Sequence, residues 1–333
     1  MPTLYVTEPG ARLEKEYSRL LVVKDDEVLF RTPISRVDQV VLVGRAGATT
    51  DALLALLEHG TPLLLITRSG QLSGRLLPAV SPNLPLRRKQ YERNADGRFG
   101  LQVARAIVEA KIHNQRTLAL RLARRNEAGD GAAALGQLAA AKQSAPAAAG
   151  LAELLGIEGS AAQAYFRLFR GALRPPWDFP GRKRRPPTDP VNALLSLGYS
   201  LLSQSLMSAL ELVGLDPYLG YYHTEKYGRP ALALDLVEEF RAPLVDSLTL
   251  DILNHHVVAE KDFETDPADG GVVLTSRGLR RYLRKYSERL ESEFKSRELG
   301  RVISYRKLFE VQARRMARAV MDDATPYRPF RAR

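Results

Sequence analysis

The chain has 333 residues, enough for two domains, and its 49 basic against 38 acidic side chains give a formal net charge of +11 that favours a polyanionic partner. It contains no cysteine, which excludes disulfides, zinc fingers and thiol nucleophiles. No signal peptide and no apolar run long enough to span a bilayer is visible, so we expect a soluble, cytoplasmic protein without a membrane partner.

Residues 1–80 have the pattern of a compact β-rich domain. Five short runs at close spacing are rich in β-branched and aromatic side chains, and turn signals separate them. Thr50 or Asp51 is placed to cap one helix that ends at Gly60, and two further strand candidates follow it. The pattern predicts a β-sandwich-like domain with one embedded helix, and we assign dimerisation to it below.

A cluster of prolines near residue 80 predicts a linker, which we place at residues 81–90. Beyond it the pattern becomes helical, and residues 91–333 are predicted to form an all-α catalytic and DNA-binding domain, which makes the fold class α+β. The Ala-rich stretch 132–150 is either a weak helix or a mobile connection. Residues 276–321 are predicted to form two long basic helices, and the tail after them is expected to be mobile.

Positive charge is clustered along the chain. Residues 271–333 hold 17 basic and 7 acidic residues, and residues 84–125 hold 11 basic and 3 acidic residues. Between Arg167 and Arg185 there are 7 basic residues and one acid, Asp178. Clusters on this scale are typical of nucleic-acid-binding surfaces, where neutralised phosphates release their counterions.

One histidine and several carboxylates form a candidate metal site. Glu158 lies between two glycines at the predicted start of an amphipathic helix, and His223 lies in a Gly-containing loop. Asp235 and Glu238 follow three residues apart on one predicted helix, so both face the same way. Oxygen and imidazole donors in this combination are typical of sites for Mg²⁺ or Mn²⁺. A divalent metal in a basic chain indicates phosphodiester chemistry on nucleic acid.

These residues also have ordinary structural interpretations. An acid near a helix start stabilises the helix dipole by about 0.3–1 kcal/mol, and a lone histidine is more often structural than a ligand. The apolar neighbours of Asp235 and Glu238 favour the metal interpretation, because they predict burial of both carboxylates. Unpaired buried carboxylates are costly unless a cation holds them.

Three sequence blocks in a fixed order resemble the CRISPR adaptation integrase, the first family of CRISPR-associated proteins. The blocks are GIEGSAAQAYF (156–166), RKRRPPTDPVNALLSLGYSLL (182–202) and HTEKYGRPALALDLVEEFRAPLVD (223–246). The resemblance covers nearly the whole chain. It implies that Glu158, His223 and Glu238 are the catalytic metal ligands, and that Asp235 either supports them or recruits a second metal ion.

The resemblance also implies DNA contacts and protein partners. Arg229 precedes a proline in the loop after the histidine, where the family has a basic residue, and is a candidate phosphate contact. Further candidate contacts to double-stranded and branched DNA, taken from the basic clusters, are Arg182, Arg184, Arg280, Arg281 and Arg284. The family forms a homodimer through its N-terminal domains and assembles with a small ferredoxin-like companion protein of CRISPR adaptation.

The implied reaction is transesterification. A metal ion held by the three ligands lowers the pKa of an incoming 3′-hydroxyl and neutralises charge on the scissile phosphate, so that short DNA segments enter a CRISPR array. With water as the nucleophile, the same site hydrolyses DNA. The sequence leaves two alternatives open: a metal-dependent repair nuclease of branched DNA, and a non-catalytic nucleic-acid-binding scaffold. Tyr165 is interpreted as a packing residue or a DNA contact, and no tyrosine nucleophile is required.

Overall fold

The computed structural model describes residues 3–68, 70–77, 83–124, 131–183, 186–267 and 269–332. The chain is a mixed α+β protein, in agreement with the predicted class. It divides into two compact units that are not continuous in sequence. Unit 1 comprises Met1–Val80, Lys183–Ser200 and His256–Ser292, and unit 2 comprises Ser81–Arg182, Leu201–His255 and Glu293–Arg333.

The first part of unit 1 contains two four-stranded sheets. Its strands are β1 (Thr3–Val6), β2 (Arg12–Glu16), β3 (Arg19–Lys24), β4 (Glu27–Pro33), β5 (Gln39–Val43), β6 (Gly47–Ala48), β7 (Leu63–Ile66) and β8 (Leu72–Leu76). One sheet has the order β1-β5-β7-β8 and the other β4-β3-β2-β6, and each mixes parallel with antiparallel pairs. Apolar side chains of both sheets, including Leu13, Leu20 and Val40, share one buried core with a helix. Every predicted strand of this segment is present, and their burial ranges from the fully buried β5 to the largely exposed β4.

The helix of this core is α1 (Thr50–Glu58), and its N-cap differs from the prediction. Thr49 has an extended backbone, and its hydroxyl accepts a hydrogen bond from Ala52 N at 3.3 Å. The prediction of Thr50 or Asp51 as the cap was therefore wrong by one or two residues. Thr49 and Thr50 both have a hydroxyl that could cap the helix, but the N-cap residue must lie outside the helix, and only Thr49 does.

Later segments of the chain complete unit 1. They are the first part of α6 (Pro190–Val213), the hairpin of β9 (Phe263–Thr265) and β10 (Val272–Leu274), and α9 (Ser276–Glu291). Tyr282 donates its hydroxyl to Leu194 O at 3.3 Å, and Gly70 packs so closely on Leu197 that a side chain there would collide with it. Because of such long-range contacts, unit 1 includes later segments of the chain as well as residues 1–80, which the sequence analysis took as the whole domain.

Unit 2 is largely helical. Its elements are α2 (Leu84–Ala95), α3 (Gly97–Ala123), α4 (Gly131–Ser144), α5 (Leu151–Gly171), the rest of α6, α7 (Ala231–Phe240), α8 (Ser247–Asn254), β11 (Glu293–Ser296), β12 (Arg301–Ser304) and α10 (Tyr305–Met321). The prediction that 91–333 is all-α was therefore wrong in detail, since β9 to β12 form two hairpins there. The second hairpin separates the two basic helices that were predicted in 276–321.

The predicted linker 81–90 is mostly helix. Asn83 accepts a hydrogen bond from Leu86 N at 3.3 Å and so caps α2, and Pro85 lies in the first helical turn. A proline there costs nothing, because the amide it lacks would have no partner inside the helix. The sequence interpretation took these prolines as marks of a loop. Residues 81 and 82 lie outside the described residues.

The Ala-rich stretch 132–150 is also ordered. It forms α4 and a 3₁₀ turn at Ala145–Ala147, so the helical alternative of the prediction holds. Ala134 and Leu138 are buried on one side of α4. Small side chains allow this helix to pack closely on α3 and α5. This packing explains why the segment is ordered although its composition is of low complexity.

The C-terminal tail is docked on unit 2, and its predicted mobility was wrong. Tyr327 and Phe330 are buried, and the Phe330 ring stacks on Phe240 with ring centres 5.4 Å apart. The Asn114 side chain donates to Phe330 O at 3.0 Å and accepts from Ala332 N at 2.7 Å. Two aromatic anchors and one buried amide thus hold a segment whose composition resembles that of a loop.

Helix α6 is long enough and apolar enough to cross a membrane, judged by length and composition alone. Within its most apolar window, 72% of the residues are buried inside the protein, a feature shared with core helices. The helix begins at Pro190, and a proline suits the first helical turn because the N–H it lacks would have no partner inside the helix.

Candidate active site

Unit 2 brings the three predicted catalytic side chains into one cluster. Glu158 extends from α5, Glu238 from α7, and His223 from the loop that precedes α7. Lys111 on α3 forms ion pairs with both glutamates, and its Nζ lies 2.6 Å from Glu238 Oε2. His223 Nε2 lies 3.7 Å from Glu238 Oε1. The cluster therefore contains two carboxylates, one imidazole and one ammonium group.

Glu158 lies in the interior of its helix, which corrects the sequence interpretation. Helix α5 begins at Leu151, so Glu158 lies about two turns from the start and its carboxylate does not serve the helix dipole. The flanking Gly156 and Gly159 are exposed, and a Cβ at either position would meet nothing within 4 Å. Two positions of the exposed helix surface near Glu158 therefore carry no side chain.

Asp235 is a buried carboxylate that holds His223. Its Oδ1 accepts hydrogen bonds from His223 Nδ1 at 2.8 Å and from His223 N at 2.9 Å, and its Oδ2 accepts from Tyr221 N at 2.7 Å and Tyr222 N at 3.0 Å. A carboxylate is only an acceptor, so Nδ1 carries the proton and Nε2 keeps its lone pair. With four donors satisfied inside the fold, Asp235 suits a supporting role better than the binding of a second metal ion.

Glu238 is a buried acid balanced by cations on both sides. Its side chain is 3% exposed, and Arg241 Nη2 lies 3.1 Å from its Oε1. Burial raises the pKa of this carboxyl, but the charges of Arg241 and Lys111 outweigh burial and lower the pKa to about 2. Oε2 is buried and has no hydrogen-bond partner of acceptable geometry, although the Lys111 ammonium is near. This oxygen can still accept a cation.

The donors fit Mg²⁺ or Mn²⁺ in their chemistry. Two carboxylates and an imidazole oriented by Asp235 are the ligand types that these ions accept, and the ammonium held by both Glu158 and Glu238 shows that the two carboxylates can share one cation. As the side chains lie, the described part of the chain has no group of three His, Asp or Glu residues placed to hold a metal ion. The Lys111 ammonium lies between the two carboxylates instead.

Two cationic members of the cluster were missed from the sequence. Lys111 lies on the buried face of α3, four residues after Ile107 and seven before Leu118. A lysine at this helical spacing from apolar residues is predicted to face the core, and this was the signal in the sequence. Arg241 follows Glu238 at the i,i+3 spacing of a helical pair. It begins a π-helical segment, Arg241–Asp246, and such segments are frequent at functional sites.

Tyr165 is a packing residue, which confirms the first of its two interpretations. Its side chain is fully buried, and its ring lies 5.2 Å from that of Phe166. Its hydroxyl donates to Asp246 Oδ2 at 2.7 Å. A buried phenol in these contacts is not available to DNA.

The candidate DNA contacts of unit 2 are less exposed than the sequence suggested. Arg229, in the loop before α7, and Arg182 are both half-buried. Arg184 lies outside the described residues. The structure therefore places Arg229 on the same loop as His223, and it gives Arg182 a partly buried position at the end of a segment of unit 2.

The three candidate arginines of unit 1 lie on the exposed face of α9. Arg281 Nη1 lies 3.1 Å from Oδ2 of the buried Asp262, and Arg280 forms an ion pair with Glu8. These two arginines thus stabilise unit 1 whether or not they also contact DNA. Arg284 is exposed one helical turn beyond Arg280.

The chain is similar to known proteins over almost its full length. The family model of the CRISPR associated protein Cas1 matches residues 4–288. A CRISPR-associated exonuclease Cas4/endonuclease Cas1 fusion of Rhodospirillum rubrum is 40% identical over 330 residues, which cover 97% of this chain and 56% of the relative. A CRISPR-associated endonuclease Cas1 of Thermus thermophilus is 36% identical over 332 residues, which cover 99% of this chain and 97% of the relative.

Two solved structures share the fold. A casposase bound to an integration product has a TM-score of 0.84 at 24% identity, with 98% of this chain and 93% of that chain covered. A Cas6-RT-Cas1–Cas2 complex has a TM-score of 0.84 at 28% identity, with 99% of this chain and 36% of that chain covered. The chain thus spans about half the length of the fusion relative and about a third of the longer chain in the complex.

Proposed function

Because this chain belongs to the family of the CRISPR-associated protein Cas1, we propose that it is a DNA integrase and endonuclease of CRISPR adaptation. It inserts short DNA segments into a CRISPR array by attack of a 3′-hydroxyl on a phosphodiester. The observation that carries the proposal is the cluster of Glu158, Glu238 and His223 in unit 2, where Lys111 pairs with both glutamates and His223 Nε2 lies 3.7 Å from Glu238 Oε1.

The residues of the cluster have separate roles in this reaction. Mg²⁺ or Mn²⁺, when bound, supplies a Lewis acid that lowers the pKa of the attacking hydroxyl and neutralises charge on the phosphate. Glu158 and Glu238 provide carboxylate ligands, and His223 provides the Nε2 lone pair. Asp235 holds the imidazole in the tautomer that this requires. Arg241 keeps the buried Glu238 ionised, so that the ligand is ready at neutral pH.

DNA reaches the cluster across the open surface of α5. Gly156 and Gly159 leave no side chain between the solvent and the helix backbone beside Glu158, and this absence permits a phosphate to approach closely. Arg229 lies on the His223 loop and provides a basic contact near the site. The proposal predicts that DNA affinity falls steeply with salt, by a slope of about −0.9 for each neutralised phosphate.

We further propose that residues 1–80 form a β-sandwich-like dimerisation domain and that the helical remainder is catalytic. Strand β4 is at the edge of its sheet, and it exposes Val28, Leu29 and Phe30 to 38%, 45% and 51%. An exposed apolar edge strand offers both unpaired backbone groups and apolar surface to a second copy of the chain.

The small ferredoxin-like companion protein is proposed as a second partner. One solved relative is a Cas6-RT-Cas1–Cas2 complex, and the Cas1 part of that assembly has the fold of this chain. By analogy, two dimers of this chain and the companion form the complex that inserts DNA.

A strand-transfer assay tests the proposed reaction. The protein is incubated with Mg²⁺ or Mn²⁺, a short duplex with free 3′-hydroxyls and a supercoiled plasmid, beside the variants Glu158→Gln and Glu153→Gln. Glu153 lies on the same helix and accepts a hydrogen bond from Ala149 N at 2.6 Å, so it is a matched control. Joined products that disappear only in Glu158→Gln are expected.

Other outcomes identify the alternatives. Cutting without joining, also in the presence of the companion protein, indicates a repair nuclease of branched DNA. DNA binding without any metal-dependent product indicates a non-catalytic scaffold. Equal activity of Glu158→Gln and the wild type contradicts the assignment of this cluster.

A further inference from the structure

Lys111 is a buried cation within the cluster, and neither the family comparison nor the reaction gives it a role. Its side chain is 8% exposed, and its ammonium contacts Glu158 and Glu238 together. Lysines are almost never buried unless their charge is paired. Since α3, α5 and α7 each supply one member of this triplet, the ion pairs link three helices of unit 2.

The ammonium neutralises a pair of carboxylates that would otherwise repel each other. Glu238 has Arg241 on its Oε1 side, but on its Oε2 side the nearby cation is Lys111. Glu158 is 20% exposed and also pairs with Lys111. Two acids drawn together in a largely buried site require positive charge between them. In the present arrangement Lys111 provides it.

We propose that Lys111 Nζ and the divalent metal ion compete for one position between Glu158 and Glu238, and that Lys111 is the resident counter-ion that metal loading must displace. The inference rests on the proposed function, since it takes these carboxylates as metal ligands. A Mg²⁺ ion bound to both carboxylates would lie about 2.0–2.1 Å from their oxygens. Lys111 Nζ is 2.6 Å from Glu238 Oε2, so both cations cannot have these positions at once.

The lysine side chain is suited to this exchange. Its charge is a single point on a flexible stem of four carbons, which can move away without any change in the helix backbone. Arg241, whose guanidinium pairs with Glu238 on the Oε1 side, can stay in place when Lys111 leaves the Oε2 side. The exchange makes metal affinity lower than the two carboxylates alone would give.

Titration calorimetry with Mn²⁺ alone tests the competition. Lys111→Met keeps the apolar stem and removes the charge, and Lys142→Met is a matched control that removes a lysine paired with Glu109 at 3.8 Å elsewhere in unit 2. We expect Lys111→Met to bind Mn²⁺ about tenfold more tightly than the wild type or better, and Lys142→Met to bind it as the wild type does. In EDTA the melting temperature of Lys111→Met should fall below that of the wild type, and Mn²⁺ should raise it by a larger step. Equal or weaker Mn²⁺ binding by Lys111→Met overturns the inference.

A measurement on the unmodified protein covers the case in which Lys111→Met does not fold. Acetylation of Lys111 by an amine-reactive ester, followed by mass spectrometry, should be several-fold faster in saturating Mn²⁺ than in EDTA, because displacement frees the ammonium. Unchanged or slower acetylation in Mn²⁺ overturns the inference.

The Glu158→Gln variant separates the inference from the proposed function. If the wild type binds Mn²⁺, Glu158→Gln does not, and Lys111→Met binds no better than the wild type, the metal site stands and the competition fails. If Mn²⁺ binding is absent from both the wild type and Lys111→Met, or is the same in Glu158→Gln, the metal site and the competition fail together. Tighter binding by Lys111→Met that Glu158→Gln abolishes supports both.

Discussion

Asp235→Asn tests how the fold holds the histidine of the site. The carboxylate is fully buried and accepts hydrogen bonds from the backbone of Tyr221, Tyr222 and His223 and from His223 Nδ1. Asparagine has the same shape, but one of its two terminal atoms is a donor. If the amide nitrogen replaces Oδ2, two backbone N–H groups lose their acceptor. If it replaces Oδ1, one N–H group loses its acceptor and the imidazole must move its proton to Nε2.

The structure sets the size of both effects. A hydrogen bond to a charged acceptor contributes about 1.5–3 kcal/mol, so the loss of two lowers the free energy of unfolding by about 3–6 kcal/mol. The alternative tautomer removes the Nε2 lone pair from the proposed metal site. Loss of the partner that orients a metal-binding histidine typically costs about 10–100-fold in metal affinity. Asp235→Asn is therefore expected to be destabilised, to bind Mn²⁺ weakly, or both.

Asp251→Asn is the matched control for this experiment. Asp251 Oδ1 lies 3.0 Å from His255 Nδ1 in a second Asp–His pair, but the two side chains are 44% and 65% exposed. Exposed pairs contribute about 0–1 kcal/mol, so this variant should unfold in urea close to the wild type. Urea unfolding and Mn²⁺ calorimetry on both variants provide the comparison. The supporting role of Asp235 is wrong if two results are found together. The free energy of unfolding of Asp235→Asn would lie within about 1 kcal/mol of that of the wild type, as expected for the control, and the variant would bind Mn²⁺ as well as the wild type does.

Three further predictions concern other parts of the molecule. Gly159→Ala should raise the free energy of unfolding by about 0.5–1 kcal/mol, because glycine is a poor helix former, and should lower strand transfer by blocking the approach of DNA; a variant that is both more stable and fully active contradicts the open-surface argument. Burial raises the pKa of Glu239 to about 7, above the value of 4.5 for the unfolded chain, so its stabilising effect is complete below pH 4.5 and is lost as the pH rises through 7. Urea unfolding at a series of pH values should show about 3 kcal/mol of this loss in the wild type and none of it in Glu239→Gln, and parallel curves would refute the assignment. Phe30→Glu should convert the proposed dimer to a monomer in light scattering after size exclusion, whereas Leu212→Glu, at another exposed apolar position, should not; a dimer that survives Phe30→Glu excludes β4 as the interface.

The parts of the fold that the sequence predicts are those fixed by neighbours a few residues apart. The strands of residues 1–80 were placed correctly, because strand propensity and turn signals act locally. The same local signals gave wrong predictions where one residue type occurs in two kinds of structure, as proline does in loops and in the first turn of helices. Pro85 begins a helix instead of interrupting one, and the tail is held by Asn114, a residue more than two hundred positions before Phe330. Contacts of that length leave no local pattern.

The candidate site shows the same division between ligands and counter-charges. The chain has five histidines, so a histidine followed closely by two acids was informative, and the structure brings Glu158, His223 and Glu238 into one cluster. Lysine and arginine together number 49, so residue type alone could not single out Lys111. What distinguishes Lys111 is its position in the apolar stripe of α3, where burial of a charge requires a partner from another helix. In a basic chain, the cations of a buried site are therefore the basic residues that lie at apolar positions of a helix. Basic residues that face the solvent need no partner of opposite charge.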